Sequence, residues 1–104
     1  MKVNLVVRVI NKEHGTIGGY VKDIDLLFVP TVGMKFKQGS STWLWETVNG
    51  NELNPAVKEV VYNIDEEGIY CLFEIKEFLA ASFWNQIKDE NLHNSFELSQ
   101  FETH

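Results

Sequence analysis

Two tryptophans two positions apart, Trp43 and Trp45, are the pair in this sequence whose type and spacing bear most directly on binding. In an extended segment alternate side chains share a face, so both rings would project together while Leu44 turns the other way. With Leu44 and Val48 inward, the rings would form an exposed aromatic platform of the kind that ligand and partner sites use. With the tryptophans inward, they would anchor the core. Glu46 falls on the Leu44 face and weakens it as a buried surface, which tips the balance toward buried tryptophans.

Asp23 and Asp25 are the second pair whose spacing could do chemistry. On a strand they share a face, close enough for one carboxylate to perturb the pKa of the other, a route to general acid–base work. An exposed polar strand face is the commoner origin of such a pair.

The remaining reactive residue types are arranged for less. His14, His93 and His104 have no ligand spacing and no His-Glu-x-x-His run exists, so no metal centre is expected. The lone Cys71 excludes an intramolecular disulfide and a multi-cysteine zinc site. It lies in the apolar run Ile69-Tyr70-Cys71-Leu72-Phe73 with no Lys, Arg or His within four residues, the setting of an inert buried thiol. Ser40-Ser41 lacks the context of a nucleophile elbow. The glycine-bearing stretch 14–19 lacks the Lys-Ser/Thr ending of a phosphate loop and does not open onto a helix, so it reads as a hairpin loop. No cofactor is expected, and binding is favoured over catalysis.

Strands must position these residues. Val3, Leu5, Val7 and Val9 share one face of an extended segment, and Val6 and Ile10 make the other face partly apolar, so this strand is expected to be covered on both sides. Residues 11–19 form the strongest break in the chain, with three glycines after a polar cluster. A second strand over 20–29 puts Lys22, Ile24, Leu26 and Phe28 on one face and Asp23 and Asp25 on the other, and Pro30 ends it. Short strands are expected at 33–37 and 42–48, with Asn49-Gly50 as a turn. Residues 56–64 and 69–75 flank Asp65-Glu66-Glu67-Gly68 and form the best-supported hairpin. The row Val60, Tyr62, Ile64 should meet the row Ile69, Cys71, Phe73, Ile75 in the core.

From Leu79 the period changes. Leu79, Phe83, Ile87 and Asn91 are spaced by four with Ala80 and Trp84 alongside, which predicts an amphipathic helix of about three turns. Five or six short strands without helices between them argue against a parallel sheet. The expected fold is mainly β: a small antiparallel, partly open barrel or curled sheet closed by one C-terminal helix. Residues 1–93 are read as a single domain and 94–104 as a tail.

Composition bounds the rest. The 104 residues allow one domain, and 44% hydrophobic with 23% charged residues is ordinary for a globular protein. The net charge of −6 is uneven: six basic and four acidic residues through Gly50 give +2, and three basic against eleven acidic residues from Asn51 give −8. Acidic surface repels phosphate backbones, so no nucleic acid is expected as a partner. No signal peptide or membrane span is legible, and Asp89 and Glu90 sit where a membrane-surface helix would carry Lys or Arg, so a cytoplasmic protein without membrane association is expected. The leading functional reading is a non-enzymatic protein-binding, accessory or inhibitory module, with Phe83, Trp84 and Ile87 as a candidate interface for a partner or a second copy. The alternatives are a small-molecule site or small enzyme with a tryptophan-lined pocket, and an acidic mimic of nucleic acid.

Overall fold

The computed structural model describes residues 2–37, 43–65, 67–80 and 83–87, with Trp43 described by its backbone alone. Five strands make one open sheet in the order β3-β4-β1-β2-β5: β1 Lys2–Asn11, β2 Gly15–Asp25, β3 Glu59–Asn63, β4 Gly68–Ile75 and β5 Asn85–Gln86. The chain is mainly β, as its period-2 patterning predicts. Two hairpins carry it. In the first, Asn11 Oδ1 accepts from the amides of Glu13 and His14 (2.8 and 3.3 Å), and Gly15 takes the left-handed conformation (φ 72°) that turns the chain into β2. In the second, β3 and β4 pair antiparallel about the turn expected at 65–68, with Asn63 opposite Gly68.

The sheet is not antiparallel throughout, which corrects one expectation. β1 and β4 run parallel, Val3 opposite Ile69 through Val9 opposite Ile75. A parallel pair needs a crossover of a dozen residues or more, usually a helix. Here residues 26–58 supply that length, and the regular structure in their described part is the 3₁₀ turn Trp43–Trp45 and isolated bridges. Several of their backbone groups pair within the segment: Gly33 N–H donates to Val57 O (2.8 Å), Val57 N–H to Met34 O (2.7 Å) and Leu53 N–H to Trp45 O (3.1 Å). The absence of a helix from the pattern therefore did not exclude parallel pairing.

This crossover covers one sheet face. Val3, Leu5, Val7 and Val9 of β1, Tyr20 of β2 and Ile69, Cys71, Phe73 and Ile75 of β4 meet Leu44, Trp45 and Val57 in the main core, joined by Leu79 and Trp84. The opposite face buries Val6, Val21, Tyr70, Leu72 and Ile87. β1 is thus covered on both sides, as its two apolar faces predict.

Four further expectations change. The stretch 42–48 contains a 3₁₀ turn, Trp43–Trp45, in place of a strand. The stretch 33–37 contributes a single bridge, Lys35 to Ala56. β2 starts at Gly15 and stops at Asp25, so Gly18 and Gly19 lie within a strand and 26–29 lie beyond it. A Cβ at Gly18 would stand 2.5 Å from Phe78 Cε1, so a larger residue there would have to displace that ring.

The expected C-terminal helix is not supported over its described part. Leu79 bridges Thr47, and residues 85–86 form β5 against the edge of β2 with Tyr20 opposite Gln86. Trp84 is buried in the main core and Ile87 on the opposite face, so the chain wraps the β2 edge. A helix presents one face and cannot bury both residues this way, whereas a strand at an unpaired edge can and also gains the bond from Ile87 N–H to Gly19 O (2.9 Å). Residues 88–91 of that expected helix and the expected tail 94–104 lie outside the described residues. Among the described residues no helix is long and apolar enough to cross a membrane.

Candidate functional site

The strand register gathers three connections at one end of the sheet. Lys2 faces Asp25, Val3 faces Ile69 and Asn63 faces Gly68, so β1 begins, β2 ends and the β3–β4 turn projects at the same end. The chain leaves β2 here as Leu26-Leu27-Phe28-Val29-Pro30-Thr31-Val32. Leu27 is 101% exposed, and Phe28, Val29 and Val32 are exposed beside it in sequence. Scattered apolar residues on a surface are ordinary, but four within six positions of one loop are not.

The loop is pinned from within. Leu26 packs on the main core and Pro30 is fully buried. Met34 N–H donates to Thr31 O (3.2 Å) across a turn whose third residue, Gly33, has φ 91°, the conformation a type II turn demands of that position. Val32, at the second position of that turn, is exposed. The apolar side chains are therefore displayed by an anchored loop.

Across the same end, Ile64 is 78% exposed and Tyr62 is also exposed. Both were expected inward. The row does meet β4, since Val60 faces Cys71 and packs on the core, but β3 is an edge strand and its end is left uncovered. Exposed carboxylates rim this end: Asp25 closes β2, and Asp65 and Glu67 occupy the β3–β4 turn. Lys2 Nζ lies 3.2 Å from Asp23 Oδ2, an exposed pair that contributes at most about 1 kcal/mol.

The residues singled out from sequence are distributed differently. Trp45 is 3% exposed, its ring centroid 5.0 Å from that of Phe73 and 5.2 Å from that of Trp84, and its indole N–H donates to Phe36 O at 2.8 Å. The choice between Leu44 and Trp45 as the inward residue does not arise, because the 3₁₀ turn buries both. The side chain of Trp43 lies outside the described residues. Asp23 and Asp25 are exposed on one strand face, Asp23 beside Lys2. Phe83, Trp84 and Ile87 do not share a surface: Phe83 packs half-buried against the main core, Trp84 donates its indole N–H to Leu44 O (2.7 Å), and Ile87 lies across the sheet.

Burial pushes the Cys71 thiol up to about 11. It also raises the Tyr20 phenol, opposed by the hydrogen bond to Leu79 O. Neither group is set for nucleophilic work near neutral pH. Among the described residues no three His, Cys, Asp or Glu side chains are placed to hold a metal ion.

The loop 26–32 was missed as a surface because Leu26 and Phe28 continue the alternation of β2. A usable signal existed: four apolar residues in succession, then Pro30, then Gly33 at the third position of a turn. Comparison of the chain with protein-family models, curated proteins and solved structures finds no match.

Proposed function

We propose that the protein is a non-enzymatic protein-binding module that docks its partner at the apolar, acid-rimmed end of the sheet. One observation carries this reading: Leu27, wholly exposed, stands with Phe28, Val29 and Val32 on a loop anchored by Leu26, Pro30 and the Gly33–Val57 hydrogen bond. Full burial of a Leu, Val or Phe side chain stabilises by roughly 1.5–3 kcal/mol. Several such side chains on a preorganised loop can offset the entropy lost in association, since little further ordering is required. The rim of Asp25, Asp65 and Glu67 favours a partner whose apolar anchors are flanked by Lys or Arg, and it would speed encounter with such a partner.

The reading as an acidic mimic of nucleic acid gains less. Glu74 is bound to Lys58 (2.7 Å), Glu52 lies in the crossover, and Asp65 and Glu67 sit at the end of the sheet where β4 begins. These carboxylates come from separate elements of the chain, which gives that reading less support than the apolar loop gives docking.

The test compares wild type with the double variant Leu27→Asp, Phe28→Asp as bait in an extract of the native host, alongside sedimentation of each protein alone. We expect a partner, or a second copy, that wild type retains and the double variant loses, with slower association at high salt. Identical recoveries by the two proteins, or none together with a monomer at all concentrations, would count against the proposal.

A further inference from the structure

Lys22 is placed where a lysine is not expected. It stands opposite Leu5 on β2, between Tyr20 and Ile24, and these alternate residues face the main core. The two aspartates of the strand, Asp23 and Asp25, fall on its other face. Lys22 Nζ donates to Phe83 O (3.0 Å) and lies 6.0 Å from the centroid of the Phe83 ring. An ammonium has three N–H donors, and that carbonyl takes one. Among the described residues no carboxylate pairs with Lys22.

Lys22 also lines a cavity of about 250 Å³, together with Leu5, Ile24, Phe36, Leu44 and Lys37. Among the described residues the lining holds four apolar side chains, two cations and no acidic group, which makes a particular chemistry. The walls reward a hydrocarbon or aromatic body, and the lysines reward one anionic head. At ~30 Å³ per water-sized volume, the space holds about eight non-hydrogen atoms. That is below the roughly 300–1,000 Å³ of pockets for drug-sized ligands, which excludes a nucleotide. Inorganic phosphate would leave the apolar walls without contact.

We propose that this cavity binds a small monocarboxylate with an apolar body, such as a medium-chain fatty acid or an aromatic acid, its carboxylate held by Lys22 and Lys37. The lining residues are distinct from those that form the docking surface. Its occupancy should be visible in intrinsic fluorescence, because the indoles of Trp45 and Trp84 are hydrogen-bonded to the carbonyls of the lining residues Phe36 and Leu44.

Titration of the full chain with hexanoate and benzoate, against hexanol and benzyl alcohol as neutral counterparts, tests this by tryptophan fluorescence and amide chemical shifts. We expect both acids to shift Leu5, Ile24 and Leu44 and to bind about tenfold more tightly than the alcohols, a gap that narrows with salt. Lys22→Met keeps the apolar stem and should narrow the preference for acids, and Lys22→Met with Lys37→Met should remove it, while the affinity for the alcohols changes far less. If either variant fails to fold, the comparison of acids with alcohols on wild type still decides. No shift at the lining residues up to about 10 mM acid, equal affinity for acids and alcohols, or shifts confined to other surfaces would each overturn the proposal.

Discussion

Cys71 and Trp45 show how far residue-level reasoning carries. Cys71 is wholly buried between apolar neighbours, and its thiol is pushed from an ordinary value of 9.0 up to about 11. The unfolded chain therefore releases this proton first. Between pH 9 and 11 the folded state holds more protons, so stability falls as pH rises through that window and is unaffected by this group below it. The effect is on the order of 2 kcal/mol at its upper end. We expect urea denaturation to show a steeper loss of stability above pH 9 in wild type than in Cys71→Ala; equal slopes would contradict the assignment. Iodoacetamide at neutral pH should label Cys71 only as the protein unfolds, which mass spectrometry can follow.

Trp45→Phe keeps an aromatic ring near Phe73 and Trp84 but leaves the Phe36 carbonyl without its donor, and should cost about 1–3 kcal/mol in the same denaturation assay. The inert thiol was legible because its apolar run is local. The fate of the tryptophan pair was only half legible: burial of Trp45 followed from Glu46 on the alternate face, but that argument assumed a strand. The 3₁₀ turn depends on contacts to Phe36, Phe73 and Trp84 that are far from local spacing.

At the scale of elements, the strands with clean alternation were legible and the two irregular segments were not. β1 and β4 carry their own period, and the 65–68 turn marks its hairpin with glycine after acidic residues. The parallel β1–β4 pair was hidden because an irregular crossover leaves no periodic trace. The segment Leu79 to Ile87 has true helical spacing, yet the open edge of β2 and the two faces beside it outweigh that local preference. Two outcomes check this wrap of the edge. Carbon chemical shifts of residues 85–87 should lie in the extended range, and the Ile87 amide should exchange slowly through its bond to Gly19 O. Ile87→Ala should destabilise by about 2–4 kcal/mol, since Ile87 is buried with Val6, Val21, Tyr70 and Leu72 on the opposite face. A helical shift pattern over these residues, or a cost below about 0.5 kcal/mol, would contradict it.

Over the whole molecule, the charge imbalance read from sequence becomes partly spatial: Asp25, Asp65 and Glu67 come together at the end of the sheet where the apolar loop 26–32 emerges. That juxtaposition joins residues from the two halves of the chain and could not be read from either alone. Because Leu27 is wholly exposed and Phe28 about half, replacing both with aspartate should alter stability by no more than about 1 kcal/mol. The variant therefore separates docking from folding. The most direct measurement is the paired capture with wild type and the folded double variant Leu27→Asp, Phe28→Asp, run at low and high salt with self-association followed in parallel. A partner or second copy that wild type holds and the variant releases is the result we predict; the same binding by both proteins, at the same rate and salt dependence, would contradict a docking role for this surface.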